Sequence, residues 1–305
     1  MLKYLIIMLD DTSVSYCHYQ NPRTERRLMP LDMLKKAIFF AMKENINIQF
    51  VYPDYDLPQE YVDAINTIDH TDIVPAGRKG DVVVCSWDNF AGEGVVALRT
   101  TRSELFARYA EIADALSSKE RINVIVTDLE KMNESDFESY KTILTALAER
   151  VKALYAEGKS PQLNILTDRM MLSAMNNCNA GWESITLAPD GKFYVCPAFY
   201  LEPDGYSVGD LEAGLDIKNP QLYQLKFAPI CRECDAYHCR RCVWLNRKTT
   251  LEVNTPSHEQ CVVAHLERNA SRNMLASIRT LGQFLLEANI PEINYLDPFD
   301  NINRK

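Results

Sequence analysis

The chain has 305 residues, enough for one large domain or for a medium-sized domain with a smaller appendage. Apolar residues make up 47% of it, and the formal net charge is −9. The acidic balance argues against nonspecific binding to nucleic acid or to acidic membranes. No apolar run approaches the roughly 18 residues of a membrane span, and the first residues are typical of a buried strand, not of a signal peptide. We therefore expect a cytoplasmic protein that binds neither nucleic acid nor membranes.

The first half of the chain alternates strand-like and helix-like segments. In chain order the predicted elements are a strand at 3–9, a helix at 31–45, a strand at 47–53, a short helix at 58–68, strands at 81–87 and 94–101, a helix at 101–118, a strand at 121–130, a long helix at 135–158 and a strand at 162–168. Such repeated units predict an α/β fold with a parallel sheet, either open or curved into a partial barrel. A further long helix is predicted at 259–289, before a frayed tail.

Ligand sites in such folds lie at the carboxyl ends of the strands. The loops at 10–21, 53–58 and 128–133 are therefore candidates. Their acidic groups, Asp10-Asp11 and Asp54–Asp56, predict a solvated rim in preference to a metal site. Aromatic residues in the first two loops predict either a peptide groove or a packed barrel mouth. These residues are Tyr16, Tyr19, Tyr52 and Tyr55.

Cysteines are concentrated in the last part of the chain. Only Cys17 and Cys85 come earlier, and the seven others are Cys178, Cys196, Cys231, Cys234, Cys239, Cys242 and Cys261. Two Cys-x-x-Cys pairs stand four residues apart, and each such turn points two thiolates at one metal centre. Buried thiols fit this clustering less well, because four cysteines within twelve residues are improbable by chance. A thioredoxin-like pair also fits less well, because the strand–CxxC–helix context is missing. One zinc ion would use four of the seven cysteines, whereas [4Fe–4S] clusters take three or four each. Seven cysteines favour clusters, and zinc stays open as the alternative.

The order of these cysteines, with Gly191-x4-Cys196 between the first cysteine and the four-cysteine knot at 231–242, resembles the SPASM domain. That domain is appended to radical SAM enzymes that modify peptides and proteins. The segment around Asp190-Gly191 also resembles the two-stranded hairpin of the family. The knot departs from the pattern, because its inner spacings are four and two residues where the family has five and three.

The SPASM resemblance implies two [4Fe–4S] clusters. One would use Cys178, Cys196 and Cys242, with a fourth position open or filled by another group. The other would use Cys231, Cys234, Cys239 and Cys261. His238, inside the knot, and His265, one helical turn after Cys261, are expected beside the clusters and not as ligands.

The resemblance to radical SAM enzymes implies a fold but not their chemistry. It divides the chain into a degenerate partial (β/α) barrel at 1–170, a small SPASM-like iron–sulfur domain at 171–290 that includes the long helix, and a tail at 291–305. Radical SAM enzymes hold their catalytic cluster with Cys-x3-Cys-x2-Cys in the loop after the first strand, where this chain has only Cys17. The Gly-Gly-Glu segment that contacts SAM is absent too. We therefore expect no SAM cleavage. Cys17 is expected to be a buried or partly exposed thiol, with a reactive role left open.

A SPASM-bearing barrel without the SAM-cluster cysteines, beginning with the loop LDDTSVSYCHYQNP, most resembles the CXXX-repeat peptide maturase family. This resemblance implies maturation of a ribosomally synthesised cysteine-repeat peptide, beside an active radical SAM maturase as partner. Three roles stay open. The chain could be an iron–sulfur accessory or peptide-binding partner, an enzyme whose open cluster iron binds a peptide thiolate, or a zinc-stabilised binding module.

Overall fold

A computed structural model describes residues 2–90, 93–175 and 178–281. Its strands are β1 Tyr4–Met8, β2 Asn47–Val51, β3 His70–Pro75, β4 Val82–Cys85, β5 Val95–Thr100, β6 Arg121–Val126, β7 Gln162–Leu163, β8 Ser184–Leu187, β9 Phe193–Tyr194, β10 Gly209–Asp210 and β11 Gly214–Leu215. Its α-helices are α1 Leu31–Glu44, α2 Gln59–Ile65, α3 Arg102–Ala115, α4 Glu134–Ala156, α5 Asn164–Thr167, α6 Pro197–Leu201, α7 Val243–Thr250 and α8 His258–Thr280.

The chain forms two compact units, each built from two stretches of sequence. The first unit comprises the described residues of Met1–Cys85 and Cys178–Ala228, and the second comprises those of Ser86–Asn177 and Pro229–Lys305. Each unit groups residues that contact one another. The domains predicted from the sequence instead separate the barrel from the iron–sulfur domain. The predicted division at residues 170 and 290 stays a prediction.

The first unit contains strands in the order β4-β3-β2-β1-β8-β9. Strand β1 runs parallel to β2 and to β8, with Tyr4 opposite both Asn47 and Ser184. Leu5 and Ile7 are fully buried, as the continuous apolar run predicts for a strand covered on both faces. The carboxyl ends of β1, β2 and β8 therefore meet at one edge, and the loops that follow them are close together.

The hairpin β8–β9 confirms the turn predicted at Asp190-Gly191. The two strands pair antiparallel, with Thr186 opposite Tyr194. Gly191 has φ 81°, a left-handed conformation that glycine adopts without steric cost. Its N–H donates to the carbonyl of Ala188 at 3.0 Å, which closes the turn.

The second unit contains β5, β6 and β7 as parallel neighbours, with the long helices α4 and α8 packed on each other. Helix α4 begins after Asn133, whose side-chain oxygen accepts the backbone N–H groups of Ser135 and Asp136 at 3.0 and 3.3 Å and so caps the helix predicted at 135–158. It ends just before Gly158, which has φ 79°. Both ends were therefore correctly predicted from local sequence alone.

Among the strands and α-helices of residues 2–168, two places differ from the sequence-based prediction. Strand β3 was not predicted, because its segment begins with His70, Thr71 and Asp72; pairing with β2 and β4 forms it. The strand predicted at 162–168 is wrong beyond Leu163, where α5 begins. There the side chain of Asn164 replaces ladder bonds, since it accepts the N–H of Val124 at 2.8 Å and donates to its carbonyl at 3.0 Å.

Helix α8 confirms the predicted carboxy-terminal helix over His258–Thr280. The predicted continuation to residue 289 and the predicted tail at 291–305 lie outside the described residues. Within the described ranges, no helix combines the length and the apolar character needed to cross a bilayer.

Candidate metal centre and the strand-end cluster

Four of the predicted ligands line a single cavity in the second unit. Cys231, Cys234, Cys239 and Cys261 contribute to its wall, and its volume is about 330 Å³. Cys231 and Cys261 are buried, whereas Cys234 and Cys239 are half-buried. The structure thus brings together the set predicted for one cluster. Three of these cysteines come from the knot loop and one from α8, and 21 residues of sequence separate Cys239 from Cys261.

Local turns present these four thiols. The N–H of Cys234 donates to the carbonyl of Cys231 at 3.1 Å, and the N–H of Cys239 donates to the carbonyl of Ala236 at 2.9 Å. Cys261 lies in the first turn of α8, where the hydroxyl of Ser257 accepts the N–H of Gln260 at 3.3 Å and caps the helix. Each cysteine is therefore held by backbone hydrogen bonds or by a helix, not by a free loop.

Hydrogen-bond donors surround the sulfur atoms. The backbone N–H of Ala236 donates to Sγ of Cys234 at 3.4 Å, and that of Arg241 donates to Sγ of Cys239 at 3.4 Å. Nε2 of His265 lies 3.4 Å from Sγ of Cys234. Such donors stabilise thiolates and are typical of iron–sulfur sites.

Burial disfavours free thiolates in this cavity. It raises the pKa of Cys231 to about 11, against the positive charge of Arg241, which lowers it. Burial also raises the pKa of Cys239 far above its usual range, and the backbone N–H of Arg241 opposes the shift. A bound cationic centre supplies the charge that keeps such cysteines deprotonated.

Buried ion pairs anchor the knot from both sides. Asp235, between Cys234 and Cys239, accepts Nη1 of Arg268 at 2.9 Å and Nη2 of Arg169 at 3.4 Å. Nε of Arg169 also donates to the backbone carbonyl of Asp235 at 2.9 Å. All three side chains are at most 4% exposed. The knot is therefore held to α8 and to the short 3-10 helix Asp168–Met171.

A second anchor uses the histidine inside the knot. Nε2 of His238 lies 3.0 Å from a carboxylate oxygen of Glu267, and the hydroxyl of Tyr140 donates to the other oxygen at 2.6 Å. Burial, with the charge of Glu267, raises the pKa of Tyr140 well above its usual range, so its proton stays on the hydroxyl. His238 thus acts as a structural partner of α8. The sequence analysis missed these anchors, although charged residues at helical spacing within an apolar face signal buried pairs.

The donor set fits an iron–sulfur cluster. Thiolate donors, N–H groups directed at sulfur and a buried guanidinium suit an anionic, sulfur-rich group. The cavity is also larger than one ion needs, since about 10–15 Å³ of such volume holds a water molecule. Within the part of the chain that the structure describes, no three His, Cys, Asp or Glu side chains are arranged to hold one metal ion. When bound, a cluster supplies a cross-link between loop and helix and a one-electron redox centre.

The ligands predicted for the other cluster lie in different units. Cys178, which is exposed, and Cys196, which precedes α6, belong to the first unit, whereas Cys242 belongs to the second. Their grouping around one cluster stays a prediction. Burial raises the pKa of Tyr16 well above its usual range, and charges on Tyr19, Cys17, Cys196 and Cys178 act in the same direction. Cys17, a partly exposed thiol as expected, is therefore a neighbour of Tyr16 together with Cys178 and Cys196.

A polar cluster around the buried carboxylate of Asp11 occupies the carboxyl end of β1, and we call it the Asp11 cluster. The Asp11 carboxylate pairs with Arg23 at 3.1 Å and Arg27 at 3.0 Å, and it accepts the Tyr200 hydroxyl. The Arg23 guanidinium stacks 3.8 Å from the centre of the Tyr200 ring. Burial and the hydrogen bond to Asp11 raise the pKa of Tyr200 to about 12. The Asp11 cluster thus comprises Asp11, Arg23, Arg27 and Tyr200.

The neighbouring Asp10 is satisfied as well. Its carboxylate accepts the N–H and hydroxyl of Thr12 at 2.8 and 2.6 Å and the hydroxyl of Tyr55 at 2.8 Å. Asp10 is fully buried and Asp11 is 7% exposed, so the prediction of a solvated rim is wrong for this pair. Burial became possible because arginines and tyrosines distant in sequence supply the partners that buried carboxylates need.

The remaining strand-end predictions have mixed outcomes. The side chains of Asp54 and Asp56 are 74% and 98% exposed, which confirms a solvated rim there. Tyr19 and Tyr52 are buried, whereas Tyr16 and Tyr55 are half-buried. Of the two alternatives for these tyrosines, the packed mouth is therefore the better description.

Comparison with known proteins identifies the fold but no family. No family model matches the chain, and no curated protein matches its sequence. Among solved structures it is similar to native anSMEcpe with bound AdoMet, with 10% identity, a TM-score of 0.61, and coverage of 91% of this chain and 100% of that chain. The same protein with bound AdoMet and the Cp18Cys peptide gives 10% identity, a TM-score of 0.62, and coverage of 92% and 100%.

The chain therefore has the mixed α/β fold of a radical SAM type partial barrel, with a cysteine-rich region near its carboxyl end. This confirms the predicted fold class over nearly the whole chain. At 10% identity this likeness concerns the fold and does not extend to function.

Proposed function

We propose that this protein takes part in the maturation of a ribosomally synthesised cysteine-repeat peptide. It acts as an iron–sulfur accessory or peptide-binding partner of an active radical SAM maturase, and it does not cleave SAM. Its clusters are two [4Fe–4S] centres held by the seven cysteines from Cys178 to Cys261. Under this proposal we assign the chain to the CXXX-repeat peptide maturase family, which its first loop resembles.

The Asp11 cluster is the observation that carries the proposal. It occupies the loop after β1, where radical SAM enzymes place the three cysteines of their catalytic cluster. A single cysteine, Cys17, remains in that loop. The other polar side chains of the Asp11 cluster already pair with one another, and the loop has one thiol. A SAM-binding cluster requires three thiolates. These features support a barrel that retains the fold without SAM chemistry.

The four-cysteine cavity supports the iron–sulfur part of the proposal. Its thiols, its N–H donors and its buried Arg241 suit an anionic cluster, and buried ion pairs hold the surrounding loop in place. The peptide-binding part draws support from the neighbour of similar fold, since anSMEcpe was crystallised with a peptide that its name gives as Cp18Cys.

Metal analysis tests the cofactor. Protein purified without oxygen is assayed for iron, zinc and sulfide, and its absorption spectrum is recorded. Two [4Fe–4S] clusters require about eight irons per chain with matching sulfide. A Cys242→Ala variant should keep the cluster of Cys231, Cys234, Cys239 and Cys261, and so about half the iron. One zinc per chain without sulfide would instead identify a zinc-stabilised binding module.

A product assay tests the absence of SAM cleavage. The reconstituted protein is reduced with dithionite in the presence of SAM, and 5′-deoxyadenosine is measured. We expect none above the level of a Cys17→Ala variant. Deoxyadenosine that depends on the wild-type protein would overturn this part of the proposal.

Peptide binding is tested with a synthetic peptide of four Cys-x-x-x repeats. Fluorescence anisotropy should show saturable binding of the labelled peptide to the full chain. A scrambled peptide of the same composition, without the four-residue period, should bind more weakly. Equal affinity for both peptides would remove the support for recognition of a cysteine repeat.

A second role is favoured by the exposure of Cys178. Because this cysteine is exposed, an iron bound to it is reachable from solvent, and a fourth position at that cluster could ligate a peptide thiolate. Addition of the cysteine-repeat peptide should then change the electron paramagnetic resonance spectrum of the reduced protein. The same peptide with serine in place of cysteine should not change it. Identical spectra with both peptides would exclude the thiolate ligand.

A further inference from the structure

Arg241 and His265 are two of the nitrogen-bearing side chains in the wall of the four-cysteine cavity. Neither is a predicted ligand. Arg241 is 1% exposed and His265 is 4% exposed, so both are removed from solvent. Arg241 has φ 43°, a left-handed conformation that is uncommon for arginine. The backbone thus adopts a costly conformation at the position where this guanidinium enters the cavity.

The contacts of both residues converge on the predicted ligands. Nε2 of His265 lies 3.4 Å from Sγ of Cys234. The backbone N–H of Arg241 lies 3.4 Å from Sγ of Cys239, and its buried side chain belongs to the same cavity wall. Two of the four cysteines are therefore in contact with one of these two residues.

Such groups change the energy of a redox centre more than that of a structural one. Each electron added to a [4Fe–4S] cluster makes an already anionic group more negative, and buried surroundings solvate that added charge less well than water does. A buried positive charge and hydrogen bonds to sulfur stabilise the reduced form more than the oxidised form. A cluster needed only as a cross-link gains nothing from this preference.

We propose that Arg241 and His265 raise the reduction potential of the cluster that Cys231, Cys234, Cys239 and Cys261 would hold. The inference rests on the iron–sulfur part of the proposed function. Reduction of such a cluster adds one electron and breaks no bond. In the experiment dithionite supplies the electron. Arg241 and His265 are positioning residues, since they act through the ligand sulfurs.

The test is a potentiometric titration of the full-length reconstituted protein, followed by electron paramagnetic resonance. Wild type is compared with Arg241→Met and His265→Leu, with iron and sulfide measured on each sample. Both variants should shift one of the couples to lower potential and leave the other unchanged. Arg241→Lys should show a smaller shift than Arg241→Met, because it keeps the charge but loses the guanidinium geometry.

Arg240→Gln is the matched control. It removes one positive charge from the adjacent residue, whose side chain is 50% exposed, so solvent screens its effect. Arg240→Gln should leave both couples in place. Full iron content with unshifted potentials in Arg241→Met and His265→Leu would overturn the inference. An equal shift in Arg240→Gln would overturn it as well, since net charge alone would then explain the potentials.

Loss of iron in Arg241→Met is met by a more conservative variant. Arg241→Gln removes the positive charge but keeps a polar group in the cavity, and an unshifted couple in that variant and in His265→Leu, at full iron, would again contradict the inference. The failure of the proposed function has a different signature: wild-type protein that binds zinc, or no iron at all, has no couple to titrate. The two failures are therefore distinguishable.

Discussion

At the scale of single residues, Asp11 determines much of the strand-end edge. A buried carboxylate is costly unless charge and hydrogen bonds compensate it. Asp11 receives both, from Arg23 and Arg27 and from the Tyr200 hydroxyl. Its partners come from the loop after β1 and from α6, so one residue links two segments of the first unit.

Tyr200→Phe should destabilise the protein by about 1–3 kcal/mol at pH 7, because it leaves Asp11 without a buried donor. Urea unfolding measures the loss. Tyr206→Phe is a suitable control, since the Tyr206 hydroxyl bonds to the hydroxyl of Tyr223 and its residue is 42% exposed. A loss in Tyr200→Phe no larger than in Tyr206→Phe would contradict the role assigned to the Asp11 cluster.

The pKa of Tyr200 also predicts how the effect of Tyr200→Phe on stability depends on pH. The folded-state pKa of Tyr200 is raised to about 12, whereas an unfolded tyrosine titrates near pH 10. A raised pKa means that the stabilisation is complete below about pH 10 and is lost as pH rises towards 12. The difference in unfolding free energy between wild type and Tyr200→Phe should therefore shrink between pH 10 and 12. A difference that stays constant over this range would contradict the assignment.

At the scale of elements, the knot loop depends on ion pairs as well as on its cysteines. Asp235 holds Arg169 from the short 3-10 helix and Arg268 from α8. These pairs are removed from solvent, so each guanidinium relies on the carboxylate. The ion pairs therefore add to the constraints on the loop, which favours retention of a cluster.

Asp235→Asn should cost about 3–5 kcal/mol, because it leaves two buried guanidinium groups without this negative charge. It should also lower the iron content of the purified protein. Asp216→Asn is the matched control: Asp216 pairs with Lys218, both side chains are largely exposed, and such pairs contribute about 0–1 kcal/mol. Equal unfolding free energies for the two variants would show that the anchor is dispensable.

A separate prediction concerns the start of α4. Asn133→Ala removes the acceptor of two backbone N–H groups and should destabilise the protein by about 0.5–2 kcal/mol. Thermal unfolding monitored by circular dichroism measures it. Asn133→Ser keeps a capping oxygen and should restore most of the stability. An Asn133→Ser variant as unstable as Asn133→Ala would argue that the cap bond is unimportant.

At the scale of the whole molecule, cluster binding and folding are expected to be coupled. A group that binds only the folded chain adds its binding energy to stability. Removing iron with a chelator should therefore lower the thermal midpoint and speed hydrogen exchange over residues 229–261. A Cys85→Ala variant, which changes a buried cysteine outside the predicted ligand set, should keep this response to the chelator. A thermal midpoint that does not change on iron removal would contradict the coupling.

Local sequence determined most of the elements. The apolar run of β1, the cap at Asn133 and the turn at Asp190-Gly191 are encoded within a few residues, so they are predictable without the fold. The spacing of the knot cysteines likewise predicted a metal centre, and the four that were grouped together line one cavity. The cofactor and the ligand sets themselves stay predictions.

Only the tertiary structure decided which polar residues are buried. Asp11, Asp235 and His238 stand in polar segments that are typical of solvated loops. In the fold they are buried against Tyr200, Arg268 and Glu267, which lie far along the chain. Whether a charge is solvated or compensated depends on what the fold brings within about 3 Å. For the same reason β3 forms from a segment with weak propensity. The sequence by itself thus determined the class of fold and grouped the four cysteines that line one cavity, whereas the buried pairs that hold the site exist only through contacts between distant residues.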